Sequence, residues 1–331
     1  MTNYWQSKHA LVTGAGGFIG SHLVEALVRQ GAQVRAFVRY NSRGDWGLLS
    51  LLPAAVLAQV EVVAGDLQDL AAVQQAVRQT SHVFHLGALI AIPYSYVHPA
   101  DVVATNVIGT LNVLLAARDA GAERVVHTST SEVYGTAQRV PIDETHPLQG
   151  QSPYSAGKIG ADKVAESFYC SFALPVVTVR PFNTYGPRQS ARAVIPTIIT
   201  QALTREVIHL GNLEARRDLT YVSDTVAGFL QVAEAPGVEG ETFNLGTGRE
   251  VSIGDLAREI VALVGRPLSI RLDEARLRPE KSEVQRLLSD NNRVKERVGW
   301  EPRVSLQAGL QQTIAWIAKH LDLYRPTEYQ L

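Results

Sequence analysis

The sequence of 331 residues predicts an α/β fold in which helices cover both faces of a doubly wound parallel sheet. Apolar runs of strand length alternate with segments of helical period through the first half of the chain. These runs consist mainly of Val, Ala and Leu without polar alternation, which is typical of strands buried on both faces. After Pro187, helical segments are separated by short strands and charged loops, and this change predicts a smaller second α/β lobe.

The boundaries of the predicted elements follow from these patterns. The predicted strands of the first lobe are residues 10–13, 33–38, 60–64, 83–86, 124–128 and 176–180. The predicted helices are residues 19–30, 105–120, 154–172, 194–204, 223–235, 252–264 and 306–320. We place the two lobes at residues 1–186 and 187–331 and expect segments around 219–246 to interleave with the first. The seam between the lobes is the predicted ligand site.

The composition is that of a globular protein, with 46% hydrophobic residues, 19% charged residues and a formal net charge of -1. This balance does not indicate binding to nucleic acid. The polar N-terminus does not resemble a signal peptide, and the long uncharged runs are short or interrupted by proline, so we expect no membrane span. The single cysteine, Cys170, fits a reducing cytoplasm and is predicted to be a small buried hydrophobe. The sequence contains no cluster with the spacing of metal ligands.

A glycine-rich turn lies between the first predicted strand and the first predicted helix. Glycine permits a tight turn and lets backbone N–H groups approach a pyrophosphate, whose charge then faces the helix N-terminus. The spacing Gly14, Gly17, Gly20 differs from the common Gly-x-Gly-x-x-Gly. Its place at the first strand–helix junction nevertheless predicts a Rossmann-type dinucleotide-binding domain. The residues predicted to contact the dinucleotide in this turn are Gly14, Gly16, Gly17, Phe18, Ile19 and Gly20.

The end of the second predicted strand bears on which dinucleotide binds. A carboxylate there would bind the free ribose 2′-hydroxyl of NAD, but residues 37–43 contain none. They contain Arg39 and Arg43 instead, and a guanidinium can bind the 2′-phosphate of NADP in a bidentate way. We therefore favour NADP slightly over NAD, with solvated surface arginines as the alternative. Asp66, which follows the third strand, is a predicted adenine contact.

Tyr154 and Lys158 lie four residues apart, so both occupy one face of a predicted helix. A phenol has an ordinary pKa near 10, which makes it a poor base at neutral pH. We expect the ammonium of Lys158 to lower the pKa of Tyr154. A tyrosine of this kind can remove a hydroxyl proton from a sugar while hydride leaves for a nicotinamide ring.

The motifs above occur in order with His127-Thr128-Ser129-Thr130-Ser131-Glu132-Val133-Tyr134-Gly135 and with Arg180-Pro181-Phe182-Asn183. Together they resemble the extended short-chain dehydrogenases, and within that group the nucleotide-sugar epimerases, dehydratases and decarboxylases. The resemblance implies that Thr130 hydrogen-bonds the sugar 4-hydroxyl beside Tyr154. The cofactor contacts that it implies beyond the glycine turn are Leu67, Leu86, Ala88, Tyr154, Lys158 and Pro181. The substrate contacts that it implies are Thr130, Asn183, Arg192, Arg217 and Arg278, the last two as arginines on the substrate diphosphate.

The segment Thr130-Ser131-Glu132 bears on the reaction. The glucose 4,6-dehydratases that this chain resembles have Thr-Asp-Glu here, so Glu132 fills the position of the base while Ser131 replaces the acid. Thr-Ser-Glu also resembles the UDP-glucuronate decarboxylases. A longer similarity in residues 90–96, 187–193 and 278–284 is to the N-acetylglucosamine-nucleotide 4,6-dehydratases of the legionaminic acid type.

The leading hypothesis is therefore a 4,6-dehydratase of a UDP- or GDP-linked N-acetylhexosamine, in which Glu132 acts as both base and acid. A UDP-glucuronate decarboxylase and a nucleotide-sugar 4-epimerase remain as alternatives, and a dinucleotide-binding regulator remains as a non-enzyme alternative. The resemblance also implies a homodimer in which helices 105–120 and 154–172 pair with their copies.

Overall fold

The computed structural model describes residues 4–277 and 279–324, and of residue 280 the backbone alone. A seven-stranded sheet forms the first lobe. Its strands are β1 (His9–Thr13), β2 (Gln33–Arg39), β3 (Val60–Gly65), β4 (His82–His85), β5 (Arg124–Thr128), β6 (Val176–Pro181) and, after four short strands of the second lobe, β11 (Thr242–Leu245). Their order in the sheet is β3-β2-β1-β4-β5-β6-β11, and every pairing is parallel. The central strands β4, β5 and β6 are buried almost throughout, as their apolar runs require.

Helices cover both faces of this sheet. The α-helices of both lobes, among the residues that the structure describes, are in chain order α1 (Phe18–Arg29), α2 (Ala54–Leu57), α3 (Leu70–Val77), α4 (Ile92–Val97), α5 (Pro99–Val103), α6 (Gly109–Asp119), α7 (Pro153–Phe172), α8 (Val194–Thr204), α9 (Val222–Glu234), α10 (Ile253–Val264), α11 (Asn292–Val298) and α12 (Leu306–Lys319). One face is covered by α1 and α9, whose apolar side chains share a core that includes Leu23, Leu27 and Phe229. The other face is covered by α3, α6 and α7, with Val113, Ala165 and Phe168 in their core. The predicted α/β fold class is confirmed.

The second lobe contains short strands and the helices α8, α10 and α12. Its strands are β7 (Thr184–Tyr185), β8 (Val207–Leu210), β9 (Arg216–Asp218), β10 (Thr220–Tyr221), β12 (Glu250–Ser252), β13 (Ser269–Leu272) and β14 (Arg286–Leu287). They form small sheets of two or three strands rather than an extension of the large sheet. Between them in sequence, α9 and β11 join the first lobe, β11 as the edge strand beside β6. The lobe boundary at residue 186 stays a prediction.

The helical run at residues 99–119 differs from the prediction, which began it at residue 105. It begins at Pro99, and the segment Ala104–Ile108 is a π-helix between α5 and α6. By length and composition Pro99–Asp119 could cross a membrane, contrary to our expectation, and half of its most apolar window is buried inside the protein. Contacts with α3 and α7 account for this apolar character, as in the core helix of a folded domain.

The prediction for Cys170 is wrong, because this cysteine is exposed. It lies in the last turn of α7, where the buried stripe of the helix is carried by Ala161, Ala165 and Phe168. Position 170 is two residues beyond Phe168, which on a helix is nearly the opposite face. The residue type of Cys170 did not indicate which side of α7 this residue occupies.

Candidate active site

A cavity of about 1040 Å³ opens at the carboxyl ends of the parallel strands, between the two lobes. This edge is where open α/β sheets bind ligands, because the strand ends and the helix N-termini meet there. The predicted site residues that line it are Gly14, Gly16, Gly17, Phe18, Ile19, Gly20, Arg39, Leu86, Ala88, Thr130, Ser131, Glu132, Tyr154, Pro181, Asn183, Arg192 and Arg217. Residues from distant parts of the sequence therefore line the same cavity.

The glycine turn is compact enough that side chains would not fit. Gly14 has a φ of 67°, and a Cβ at Gly20 would lie 2.3 Å from the carbonyl oxygen of Gly14. Gly17 is the N-cap of α1 and has no side chain to cap the helix, so the first N–H groups of α1 face the cavity. This arrangement fits a dinucleotide pyrophosphate at a helix N-terminus.

The loop after β2 packs on this turn. The N–H of Leu48 donates to the carbonyl of Gly16 at 2.9 Å, and a Cβ at Gly16 would lie 2.7 Å from the carbonyl oxygen of Trp46. Arg39, Asn41, Asp45 and Trp46 from this region line the cavity. Arg39 is exposed, and its predicted contact with the dinucleotide stays a prediction.

Three predicted cofactor contacts, Asp66, Leu67 and Lys158, do not line the cavity, and the first two lie in the turn after β3. The carboxylate of Asp66 accepts a hydrogen bond from the N–H of Gln68 at 2.9 Å, which stabilises the turn after β3. The side chain of Leu67 lies against Gly87 and Gly109, behind the cavity wall. Their predicted contacts with the cofactor remain predictions.

Tyr154 is placed by the start of α7. Ser152 caps the helix through a capping box with Ser155, with hydrogen bonds of 3.1 and 2.9 Å, and Pro153 occupies the first turn. These local signals fix where α7 begins, so Tyr154 emerges at the cavity wall with 7% of its surface exposed.

The ammonium of Lys158 is bound at the end of β5. Lys158 is buried one helical turn after Tyr154, and its Nζ donates to the carbonyl oxygen of Thr128 at 2.6 Å. Burial raises the pKa of Tyr154, a hydrogen bond with Thr130 lowers it, and the negative charges of Glu132 and Asp162 raise it further. The lowering of this pKa by Lys158 stays a prediction, because burial and the groups Thr130, Glu132 and Asp162 account for the direction found in the protein alone.

Burial lowers the pKa of Lys158 itself to about 8, and the negative charge of Asp162 partly offsets that effect. The ammonium is therefore present below about pH 8 and is lost above it. Any reaction that needs this charge should slow on the alkaline side of pH 8.

Thr130, Ser131 and Glu132 follow β5 in the short 3-10 helix Ser131–Tyr134. Thr130 is its N-cap, and its Oγ1 accepts a hydrogen bond from the N–H of Glu132 at 3.2 Å. Ser131 is only 2% exposed, whereas Glu132 is half-buried at the cavity wall. The hydroxyl of Thr130, the phenol of Tyr154 and the carboxylate of Glu132 therefore share one part of the cavity.

Three other predicted substrate residues, Asn183, Arg192 and Arg217, also line the cavity. Arg217 is buried with a guanidinium nitrogen 3.4 Å from the carboxylate of Glu283. The side-chain carbonyl oxygens of Asn183 and Gln189 are buried without a hydrogen-bond partner in the structure. Arg192 is exposed at the rim. Arg278 lies outside the described residues.

Sequence reasoning missed several residues of the cavity wall, which are Trp46, Tyr96, Gln189, Asn212, Arg276 and Glu283. The turn-rich segment after β2 could have indicated Trp46, because that loop lies beside the glycine turn. Gln189 and Glu283 stand inside segments whose similarity to other proteins was noted, but no spacing rule assigns them a contact. Their position depends on how the second lobe folds over the first.

Comparisons with known proteins agree with this geometry. The chain matches the family described as GDP-mannose 4,6 dehydratase over residues 11–313. It is 34% identical over 312 residues to the UDP-glucose 4-epimerase of Mycolicibacterium smegmatis, covering 92% of this chain and 96% of the relative.

Two solved structures show the same fold along the whole chain. DesIV, a dTDP-glucose 4,6-dehydratase from Streptomyces venezuelae with NAD and TYD bound, superposes with a TM-score of 0.85 and 29% identity over 97% of this chain and all of that one. A UDP-N-acetylglucosamine 4-epimerase from Methanobrevibacter ruminantium, in complex with UDP-N-acetylmuramic acid, superposes with a TM-score of 0.86 and 27% identity over 95% of this chain and 99% of that one.

The fold and the site together define an extended short-chain dehydrogenase that depends on a nicotinamide dinucleotide. The chain belongs to the family of nucleotide-sugar 4,6-dehydratases and 4-epimerases and is an enzyme of that family.

Proposed function

We propose that this enzyme is a 4,6-dehydratase of a UDP- or GDP-linked N-acetylhexosamine. The observation that carries the proposal is the placement of Glu132 beside Thr130 and Tyr154, with Ser131 buried in the adjacent position. A simple 4-epimerase does not require a carboxylate at this point, whereas elimination across C5 and C6 requires a base. Glu132 supplies that base.

The proposed reaction starts at the sugar C4. Tyr154 accepts the proton of the 4-hydroxyl, and Thr130 orients that hydroxyl. A bound dinucleotide would supply the hydride acceptor for C4 and the hydride donor for C6. The glycine turn and Arg39 would hold it, and Lys158 lies at the buried side of Tyr154.

The elimination step then depends on Glu132. Oxidation at C4 makes the C5 proton acidic, and the Glu132 carboxylate removes it. The same proton, now on Glu132, passes to the 6-hydroxyl, which leaves as water while a C5–C6 double bond forms. After hydride reaches C6, C5 takes up a proton equivalent to the one that Tyr154 removed from the 4-hydroxyl. The sum is loss of one water molecule and conversion of C4 to a ketone.

A 4-epimerase is the second candidate, since the relative in M. smegmatis is described as a UDP-glucose 4-epimerase. A UDP-glucuronate decarboxylase is the third, because Thr-Ser-Glu is also compatible with loss of carbon dioxide from a 4-keto sugar. All three reactions share oxidation at C4 and differ in what happens next.

The deciding experiment is a product assay by mass spectrometry. The holoenzyme is incubated with UDP- and GDP-N-acetylglucosamine, with dTDP-glucose and with UDP-glucuronate. We expect loss of one water from an N-acetylhexosamine substrate, giving a 4-keto-6-deoxy sugar. An unchanged mass with an inverted C4, or release of carbon dioxide from UDP-glucuronate, would replace this proposal, and dehydration of dTDP-glucose alone would correct the substrate.

For the cofactor, we propose that Arg39 binds the 2′-phosphate of NADP, since it lines the cavity at the end of β2 where a carboxylate would select NAD. The DesIV structure contains NAD, so the two dinucleotides must be compared directly. Equilibrium binding of NADP and NAD to the cofactor-free protein tests this. Tighter binding of NAD would overturn the preference.

We also propose a cytoplasmic homodimer. Val103 and Ile108 on the helical run at 99–119 and Phe172 on α7 are apolar and exposed, and these helices pack side by side. A second copy related by a two-fold axis would cover them. Light scattering at micromolar concentration should give twice the chain mass, and the mass of one chain would reject the dimer.

A further inference from the structure

A cluster of charged and polar side chains is buried directly beneath the catalytic segment. At its centre is Asp162 on α7, which is 5% exposed and lies one helical turn after Lys158. One of its carboxylate oxygens accepts a hydrogen bond from Nε2 of His127 at 3.0 Å. The other accepts one from the hydroxyl of Ser129 at 2.7 Å and one from Arg180 at 3.0 Å. Asp162 therefore ties α7 to the ends of β5 and β6.

This cluster reaches the active site through Ser129, which lines the cavity. Ser129 immediately precedes Thr130, and Thr128, whose carbonyl accepts from Lys158, immediately precedes Ser129. Arg180 immediately precedes Pro181 at the cavity wall. Asp162 itself does not line that cavity but a separate outer cleft of about 520 Å³.

The cluster and the adjacent Lys158 contain buried charges of both signs. Lys158 and Arg180 are both buried cations, and the buried carboxylate of Asp162 pairs with Arg180 at 3.0 Å and lies one helical turn after Lys158. His127 is fully buried, and burial lowers its pKa, so its ring is neutral and Nε2 donates to the carboxylate. A second buried cation next to Arg180 would be costly without a nearby negative charge. Asp162 provides that charge.

We propose that Asp162 is a positioning residue that keeps Lys158 protonated and holds the Thr128–Thr130 segment in place, so that the ammonium is available beside Tyr154 at neutral pH. The inference rests on the proposed C4 oxidation, but it does not depend on which of the three reactions follows. Asp162 has no contact with substrate, and it acts through Lys158 and through Ser129.

The other charged groups around Asp162 do not replace it. On α7 these are Lys163 and Glu166, which pair with each other at the surface at 2.6 Å. Across the outer cleft are Glu144, Glu241 and Arg293, and Arg293 pairs with Glu241 at 3.0 Å. Tyr134 lies beyond Arg180 and accepts a hydrogen bond from it at 2.9 Å. On the β4 side, burial lowers the pKa of His85, so it carries no charge at neutral pH.

The test is the pH dependence of the holoenzyme carrying Asp162→Asn. Turnover of the nucleotide sugar that the wild-type enzyme accepts is measured across the alkaline range, where loss of the Lys158 proton should limit the rate. We expect the alkaline limb to move to lower pH by about one unit or more, because an opposite charge at short range typically contributes that much. Glu166→Gln, which removes a solvent-facing carboxylate from the same helix, is the matched control and should leave the limb in place.

A second readout does not require turnover. Nitrogen-15 NMR of lysine-labelled holoenzyme follows the Lys158 amine, assigned by its absence in Lys158→Arg. In Asp162→Asn we expect this amine to lose its proton at lower pH than in the wild-type protein. Absence of dehydration on the substrate panel would defeat the proposed function and leave this result unaffected.

Asp162→Asn leaves Arg180 without its buried partner and so destabilises the protein, which calls for a second variant. The double variant Asp162→Asn, Arg180→Gln removes both charges and keeps the polar contacts, and the downward shift should persist in it. A uniform loss of rate with an unchanged alkaline limb and an unchanged Lys158 titration would show that Asp162 acts through stability alone and would overturn the proposal.

Discussion

The cofactor half and the substrate half of the cavity are built in different ways. The proposed cofactor half centres on one turn, residues 14–20 at the junction of β1 and α1, to which the end of β2 and the loop after it add Arg39 and Trp46. The substrate half brings together Asn183, Arg217 and Glu283, which come from three separate parts of the chain. A turn encoded locally can be recognised in the sequence, whereas a site assembled by tertiary packing can be recognised only in part. Variants that affect one half and spare the other test this division.

The largest effect is expected for Tyr154→Phe, which removes the proposed base for the proton of the sugar 4-hydroxyl. Turnover should fall by about 10³-fold, as is typical when a general base is lost. Dinucleotide binding should stay within a factor of about two, since a phenyl ring preserves the packing. Tyr169→Phe, at the exposed end of the same helix, is the control and should retain full activity. Substantial turnover by Tyr154→Phe would mean that another group removes the proton.

The next largest effect is expected for Gly20→Ala, in the cofactor half. Its Cβ would lie 2.3 Å from the Gly14 carbonyl oxygen, and overpacking against backbone costs roughly 3 kcal/mol, or about a hundredfold in affinity for the dinucleotide. Calorimetry measures the affinity. Gly254→Ala, near the start of α10, places its Cβ no closer than 3.5 Å to its neighbours and should bind normally. Normal dinucleotide binding by Gly20→Ala would show that the glycine turn does not bind the pyrophosphate.

A smaller effect is expected for Arg217→Ala, in the substrate half. Loss of a charged hydrogen bond to the substrate diphosphate should raise KM roughly tenfold to a hundredfold, corresponding to about 1.5–3 kcal/mol. Steady-state kinetics should show kcat much less affected and dinucleotide affinity unchanged. Arg258→Ala, whose side chain is 67% exposed on α10, serves as the control. An Arg217→Ala enzyme with an unaltered KM would remove this arginine from the diphosphate site.

The smallest effect is expected for Arg39→Ala, because Arg39 is exposed. Affinity for NADP should fall about fivefold, near the roughly 1 kcal/mol of an exposed ion pair, while affinity for NAD stays the same. Arg43→Ala provides the comparison, since Arg43 does not line the cavity and should not change either affinity. Equal losses of affinity for NADP and NAD would show that Arg39 does not bind the 2′-phosphate.

The fold was predictable because its signals are local. Strands such as Arg124–Thr128 and helices such as Val194–Thr204 have the predicted bounds, since burial on both faces and helical period are visible in short windows. The motif identified Tyr154 as a cavity residue but did not predict its surroundings. Spacing places Lys158 on the same face, but only the fold shows that its ammonium binds the Thr128 carbonyl. Asp162 carries no motif, and its importance lies in the contacts that converge on it.

The most direct test of the proposed chemistry is a single-turnover experiment with Glu132→Gln holoenzyme, mixed with the nucleotide sugar that the wild-type enzyme dehydrates. Absorbance of the reduced nicotinamide reports oxidation at C4, and mass spectrometry reports the product. We predict that reduced cofactor accumulates while no 4-keto-6-deoxy sugar forms, because Tyr154 remains and the base for C5 is gone. Formation of that product at the wild-type rate, or a complete failure to reduce the cofactor, would contradict the separate roles assigned to Tyr154 and Glu132.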